Sequence, residues 1–218
     1  MSARELCALQ RRHWQDTYRA HPDMYGSAPS APAVYAANLF KAAGVKRLLE
    51  LAAGHGRDAM YFAREGFTVT AIDFSDVAIE RIRGVAQAQG VGAQLSTVVH
   101  DMREPLSLEN RAVDAVFAHM ALCMALSTTE IHAVVSEVRR VLRPGGILVY
   151  TVRHTGDAHC GAGKAYGDNT FEHGGFVVHF FNRQLVEALA EGWTLNEVYA
   201  FEEGDLPRRL WRVTMIRG

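Results

Sequence analysis

The sequence predicts an α/β protein built on an open, mostly parallel sheet with helices on both faces. Short apolar or β-branched runs alternate with segments whose apolar residues recur at helical spacing, as in βαβ units. Near the carboxyl terminus, two strand-like runs at 194–201 and 210–216 have no helix between them and predict an antiparallel pair. Five parallel strands and this hairpin together predict a doubly wound, seven-stranded sheet.

The first βαβ unit is the clearest part of the pattern. Residues 46–52 are an apolar strand that ends in a glycine-rich turn, and residues 57–65 follow with apolar side chains on one helical face. Residues 67–73 form a β-branched second strand, and Ser75 is a suitable N-cap for the next helix. The carboxyl ends of these two strands should therefore lie side by side.

The rest of the core follows from similar signals. Further parallel strands fit residues 94–100, 112–119 and 147–153. The capping box Ser127-x-x-Glu130 opens a helix, which residues 144–146 (Pro-Gly-Gly) are expected to end.

The chain after Arg153 has a different character. Residues 154–176 are rich in glycine and histidine, have weak periodicity and predict a long functional loop. A short strand at 176–181 and a helix from Asn182 to near Gly192 should follow. The terminal hairpin is expected to turn around Asp205-Leu206-Pro207.

Composition excludes several classes of protein. The 218 residues suit one domain, and 23 Lys and Arg against 24 Asp and Glu leave no basic excess for binding nucleic acid. The longest apolar run, 115–126, is too short to span a bilayer. Charges near the amino terminus leave no signal-peptide core, which predicts a cytoplasmic protein. The three cysteines form no CxxC pair, so neither a disulfide framework nor a structural zinc site is expected.

Acidic residues end three successive predicted strands. Glu50 precedes a turn in which Gly54 and Gly56 allow close backbone approach to a ligand. Its carboxylate would repel a pyrophosphate and favour a cation. Asp73 can accept hydrogen bonds from two ribose hydroxyls, and Asp101 from an adenine amine, although helix capping and a solvated turn are structural alternatives for these two residues. Together the three acids predict a site for a positively charged nucleoside.

The central part of the sequence resembles a known family. Five segments across residues 46–153 look like the ordered motifs of class I S-adenosylmethionine-dependent methyltransferases: LLELAAGHGRD, TAIDFS, HDMREPL, VDAVFAHMALCMAL and LRPGGILVYTV. The resemblance implies a Rossmann-like fold, methyl transfer and S-adenosylmethionine as cofactor. It implies cofactor contacts from Glu50, Ala52, Gly54, Gly56, Asp73, Phe74, Asp101, Met102 and His119. Ala52 stands where the family often has glycine, and an alanine in ordinary backbone geometry would be tolerated there.

A narrower resemblance concerns the acceptor. The segment WQDTYRAHPDMYGSAPS and the terminal hairpin resemble small-molecule methyltransferases of the thiopurine and tellurite-resistance type. This implies a small-molecule acceptor, with a thiol or other soft nucleophile favoured. Trp14, Tyr18 and Tyr25 are interpreted as an aromatic lid, with ordinary helix packing as the alternative. The predicted division is a lid segment (1–45), a cofactor-binding core (46–153) and an acceptor loop with the hairpin (154–218).

A hydroxyl or protonated amine acceptor would need a base, whereas a soft nucleophile would not. His154 and His173 are the candidate bases, and Tyr166 is a further candidate acceptor contact. The remaining histidines and cysteines of this region, and a metalloid site built from the three cysteines, are weaker metal-binding alternatives. No metal is predicted, and no oligomeric state follows from the pattern.

Two other functions stay open at this point. Gly54-x-Gly56-x-x-Ala59 satisfies a relaxed dinucleotide fingerprint, so a nicotinamide-dependent oxidoreductase is the first alternative. The second is a nucleoside-binding module without catalytic activity.

Overall fold

The computed structural model describes residues 3–204 and 208–218. The helices in these residues are α1 (Ala3–Ala20), α2 (Ala31–Ala42), α3 (Arg57–Arg64), α4 (Asp76–Ala88), α5 (Thr128–Val141) and α6 (Arg183–Leu189). The strands are β1 (Arg47–Leu51), β2 (Thr68–Asp73), β3 (Leu95–Val99), β4 (Val113–His119), β5 (Leu142–Arg153), β6 (Lys164–Gly167), β7 (Thr170–His173), β8 (Phe176–His179), β9 (Trp193–Glu203) and β10 (Arg208–Arg217).

Seven strands form the main sheet in the order β3-β2-β1-β4-β5-β10-β9. The strands from β1 to β5 are parallel, and β10 is antiparallel to both β5 and β9. The predicted doubly wound sheet with a terminal antiparallel pair is confirmed. Between β1 and β4 the strand order changes direction, and a crevice opens at the carboxyl ends of such strands.

Each face of the sheet has its own hydrophobic core. On one face, α2, α3 and α4 cover the sheet around Phe40, Phe62 and Phe117, and the last two rings are 5.1 Å apart. On the other face, α5 and α6 cover it around Tyr150 and Phe181. Burying such large side chains stabilises the fold by roughly 1.5–3 kcal/mol each.

Side-chain caps set the helix starts as the sequence predicts. The hydroxyls of Ser75 and Ser127 and the amide oxygen of Asn182 each accept a backbone N–H bond, and the capping box is present. The predicted end of α5 is wrong, because the helix stops at Val141. Residues 144–146 lie instead inside β5, where a register shift in the pairing with β4 accommodates them.

The predicted long loop is a small antiparallel sheet. β6, β7 and β8 pair in that order, with register pairs Gly167↔Thr170 and His173↔Phe176 at the two tight turns. The prediction of a loop over 154–176 is therefore wrong for its second half. The predicted turn at Asp205-Leu206-Pro207 lies outside the described residues. In the helices that are described, no segment is long and apolar enough to cross a membrane.

Candidate active site

A cavity of about 520 Å³ lies at the carboxyl ends of the parallel strands. Residues at the strand ends of the main sheet line one side of the cavity, and residues of α1 and the small sheet line the other parts of its wall. The structure brings to this cavity most of the residues singled out in the sequence: Tyr18, Tyr25, Glu50, Ala52, Gly54, Asp73, Phe74, Asp101, Met102, His119 and His173. Segments far apart in the sequence therefore share one chamber.

The turn after β1 approaches the cavity with unusual backbone geometry. Ala52 has φ 51° and Gly54 has φ 54°. The expectation of ordinary geometry at Ala52 is therefore wrong, because a left-handed conformation is unfavourable for a residue with a Cβ. A Cβ on Gly54 would lie 3.2 Å from the Tyr18 hydroxyl, so the glycine lets the aromatic ring approach. Gly56 does not line the cavity; it packs on Ile82 of α4.

Glu50 is a carboxyl buried on the wall of the cavity. The residue is only 3% exposed, and no described residue hydrogen-bonds its Oε2 atom. Burial, reinforced by nearby Asp58, raises the pKa of Glu50 well above its usual value. A buried acid with an unpaired oxygen is unfavourable when ionised, and a cationic ligand beside it would add to the favourable charge of nearby Arg57 and reduce that penalty.

Asp73, at the end of β2, holds the turn and faces the same cavity. Its two oxygens accept bonds from the backbone N–H groups of Gly54 and Ser75, each at 2.9 Å. Burial raises the pKa of Asp73 to about 6, although these two bonds act in the opposite direction. Because each carboxylate oxygen has a second lone pair, Asp73 can still accept bonds from a ligand's hydroxyls.

Asp101 lies in the turn after β3 with a charge partner of its own. Arg103 donates to both of its oxygens, at 2.9 and 2.8 Å. Burial alone would raise the pKa of Asp101, but the bonds from Arg103 lower it overall. Asp101 is therefore an ionised acceptor at the edge of the cavity.

His119 belongs to a network that the sequence did not predict. Its Nδ1 is 2.8 Å from the Thr151 hydroxyl, and its Nε2 is 3.4 Å from the Glu203 carboxylate. Glu203 ends β9 and also lies within 4 Å of Arg57 and Arg208. Both nitrogens of His119 are thus engaged, and the terminal hairpin reaches over the end of β4.

The amino-terminal segment covers the cavity. Trp14 lies 4.6 Å from Phe176 of the small sheet, and Tyr18 lies 4.6 Å from His55 of the glycine turn, measured between ring centroids. Gln10, which is 2% exposed, donates to the Gly175 carbonyl and accepts from the Val177 N–H. These contacts attach α1 to the small sheet.

Besides Gly56, two residues predicted on the acceptor side lie outside the cavity. His154 does not line the cavity, because its ring stacks on Trp211 with centroids 4.7 Å apart and its Nδ1 accepts from the Gly156 N–H. Tyr166 lies on the small sheet outside the cavity and donates to Glu172. Their predicted contacts with an acceptor are not supported. Within residues 3–204 and 208–218, no three His, Cys, Asp or Glu side chains gather into a metal-binding group.

The family model and the curated relatives that match this chain are all described as methyltransferases. The family described as "Methyltransferase domain" matches residues 48–146. A glycine/sarcosine/dimethylglycine N-methyltransferase of Actinopolyspora halophila is 34% identical over 106 residues, covering 48% of this chain and 18% of that protein. The chain spans less than half the length of the curated relatives that it matches.

Solved structures share the whole architecture. The 1,6-didemethyltoxoflavin-N1-methyltransferase of Burkholderia thailandensis, solved with 1,6-didemethyltoxoflavin and S-adenosylhomocysteine, has a TM-score of 0.78 at 17% identity and covers 100% of this chain and 91% of its own. TehB of Haemophilus influenzae has a TM-score of 0.69 at 14% identity, covering 94% and 67%. The fold is therefore that of Rossmann-like class I methyltransferases. The match to the methyltransferase-domain family covers residues 48–146, which is less than half of the chain.

Proposed function

We propose that this chain transfers the sulfonium methyl group of S-adenosylmethionine to a small molecule bound in the same cavity. The observation that carries the proposal is the placement of two buried carboxyls, Glu50 and Asp73, on the cavity wall beside the glycine turn. A sulfonium nucleoside is cationic, so it favours the ionised form of both groups. The unpartnered Oε2 of Glu50 fits such a ligand.

Residues around the crevice divide the binding of the cofactor among them. Asp73 accepts from the ribose hydroxyls, while Phe74, Asp101 and Met102 hold the adenine. The backbone of the glycine turn and His119 lie on the methionine side, together with Glu203, which the sequence did not predict. S-adenosylmethionine would supply an electrophilic methyl group.

The protein's contribution to the reaction is alignment and exclusion of water. Methyl transfer is an in-line displacement, so holding the acceptor in line can supply most of the rate enhancement. The lid formed by α1, with Trp14 and Tyr18, covers the chamber in which the two reactants meet. The volume of about 520 Å³ lies within the ~300–1,000 Å³ of small-molecule sites.

The acceptor is proposed to be a thiol or another soft nucleophile, as in the thiopurine and tellurite-resistance type. Support comes from the positions of the two candidate bases, because His154 lies outside the cavity with its ring stacked on Trp211. His173 is the remaining candidate base on the cavity wall. With a soft acceptor, His173→Ala should change kcat little, whereas loss of a true base would lower it by ~10²–10⁴.

Binding and turnover test the proposal separately. Asp73→Ala should lower the affinity for S-adenosylmethionine on the order of ten- to a hundredfold in calorimetry, since bonds to a charged group contribute about 1.5–3 kcal/mol.

A screen with tritiated methyl groups across thiols, amines, phenols and metalloid oxyanions should identify the acceptor class. Binding of NADH without binding of either sulfur nucleoside would instead support the oxidoreductase alternative, and cofactor binding without any transfer would support the non-catalytic module.

A further inference from the structure

The part of the cavity bordered by α1 and the small sheet has aromatic walls. Trp14 of α1 and Phe176 of β8 form one ring pair, with centroids 4.6 Å apart. Phe171 of β7 and Phe180, just after β8, form a second pair at 6.1 Å. All four rings line the cavity. Flat π faces on several sides favour a planar aromatic occupant over an aliphatic one of similar size.

One end of this aromatic chamber is polar. Arg153, at the end of β5, donates through Nε and Nη2 to Asp157, whose residue is 4% exposed. The same Nη2 lies 3.0 Å from Nδ1 of His159. Asp157 also accepts from the backbone N–H groups of His159 and Arg209. This network of bonds fixes both Arg153 and the backbone that carries His159.

The contact with Arg153 determines where the proton sits on His159. A guanidinium has only N–H donors and no lone pair to offer, so Nδ1 of His159 must be the acceptor in this bond. In the neutral ring the proton is then on Nε2. Burial first, and then the charge of Arg153, lowers the pKa of His159, which is consistent with a neutral ring. His159 can therefore donate a hydrogen bond from Nε2 but is poorly suited to remove a proton.

We infer that His159 is a specificity-determining donor that orients a planar aromatic or heteroaromatic acceptor bearing an oxygen or nitrogen lone pair. This inference rests on the proposed function, because it assigns the second substrate of the same site. The aromatic walls hold the ring, and the Nε2–H of His159 bonds the lone pair. The Arg153–Asp157 pair acts through His159 by keeping its donor form. A hydrocarbon or purely donor ring would leave that N–H without a partner.

Calorimetry on protein saturated with S-adenosylhomocysteine tests this specificity with three probes. 4-Quinolone offers an aromatic bicycle with a carbonyl acceptor, indole a bicycle with only an N–H donor, and 2-piperidone a carbonyl on a non-aromatic ring. We expect 4-quinolone to bind about three- to tenfold more tightly than either of the others, the size of one net hydrogen bond or ring contact. Equal binding of indole and 4-quinolone, or no binding of 4-quinolone at millimolar concentration, would overturn the inference.

Variants of His159 provide the second arm. His159→Phe keeps a ring but removes the donor, so it should abolish the preference for 4-quinolone over indole. His159→Gln can accept from Arg153 through its oxygen and donate through its amide, and it should retain the preference. Tyr166→Phe, on the small sheet but outside the cavity, is the matched control. It should leave the preference for 4-quinolone over indole and over 2-piperidone unchanged. A preference that survives in His159→Phe contradicts the assignment.

The same samples separate this inference from the proposed function. Each variant is first tested for a melting shift with S-adenosylhomocysteine, which also shows that it is folded. If the nucleoside binds and the preference for 4-quinolone is absent, the inference fails and the proposed function stands. If wild-type protein does not bind the nucleoside, the proposed function fails.

Discussion

Ala52 occupies a backbone conformation that is unfavourable for any residue with a side chain. Its φ of 51° is matched by two other non-glycine residues of the cavity wall, Met120 at 53° and Ala125 at 52°. Such conformations persist where surrounding contacts enforce them, and they cluster at functional sites. At Ala52 the flanking contacts are visible, because Ala53 donates to the Ile72 carbonyl and Asp73 holds Gly54.

Replacing Ala52 by glycine should therefore stabilise the protein. A left-handed L-residue costs about 1–2 kcal/mol, and part of this gain is offset by the greater freedom of glycine in the unfolded chain. We expect Ala52→Gly to raise the free energy of unfolding by about 0.5–1 kcal/mol in urea titrations. Ala53→Gly is the matched control, since Ala53 has no positive φ and should lose stability. A destabilised Ala52→Gly would show that its side chain packs favourably enough to outweigh the strain.

Some candidate site residues could be predicted from the neighbouring sequence and others could not. Glu50, Asp73 and Asp101 could be predicted, because each follows a strand whose carboxyl end must face the crevice. Glu203 and His159 could not, because each gains its place from a partner far along the chain or from a turn that periodicity does not specify. A lone acid or histidine in a polar stretch looks the same whether or not the fold brings it to the cavity.

At the scale of elements, the small sheet is the main feature that the sequence analysis missed. Its strands have four residues each, too few for an alternating pattern to stand out among the glycines. The residue types of the two turns are a clearer sequence signal for these hairpins than the strands are. Asp168 and Asn169 have φ of 48° and 53°, and Gly174 and Gly175 have 60° and 84°. Asp-Asn and Gly-Gly are typical of two-residue hairpin turns with positive φ at both positions.

The connection between α1 and this sheet can be tested through Gln10. Its buried amide satisfies both the Gly175 carbonyl and the Val177 N–H. Gln10→Leu fills similar space but leaves these backbone groups without that partner, at a cost of about 1–3 kcal/mol. Hydrogen exchange in α1 and β8 should therefore become faster in the variant, and S-adenosylhomocysteine should slow it again.

Gln15 provides the comparison within the same helix. Its side chain bonds Asp76 of α4 at an exposed position, so Gln15→Leu should change exchange in α1 much less. Equal effects of the two substitutions would mean that Gln10 has no special role in holding the lid.

At the scale of the whole molecule, the cavity joins parts that differ in how well the sequence defines them. The half that is proposed to bind the cofactor comes from β1 to β4, where strand and helix periods are regular and the chain order sets which ends meet. The half that is proposed to bind the acceptor comes from α1, the small sheet and the hairpin, which long-range contacts hold in place. Regular periodicity therefore predicted the sheet and which strand ends border the cavity, while the rest of the cavity wall depended on tertiary contacts.

The buried acids make the stability of the whole protein depend on pH and on the cofactor. Burial raises the pKa of Asp73 to about 6 in the folded protein, above its unfolded value. Its contribution is therefore fully present below the unfolded pKa and is lost as the pH rises through about 6. Burial likewise raises the pKa of Glu50, so this group acts with the same sign.

Asp73→Asn isolates this effect, because asparagine does not ionise. Without ligand, the melting temperature of the variant relative to wild type should rise as the pH increases from about 5 to 7. At 100 times its Kd for wild type, S-adenosylmethionine should stabilise wild type by ~2.7 kcal/mol, which is roughly 5–10 °C near neutral pH. Because this ligand favours the ionised acid, the same concentration should stabilise the variant by less. Differential scanning fluorimetry across this range measures both quantities. A melting difference that does not change with pH would mean that Asp73 stays ionised in the free protein and that its burial is offset by the Gly54 and Ser75 bonds.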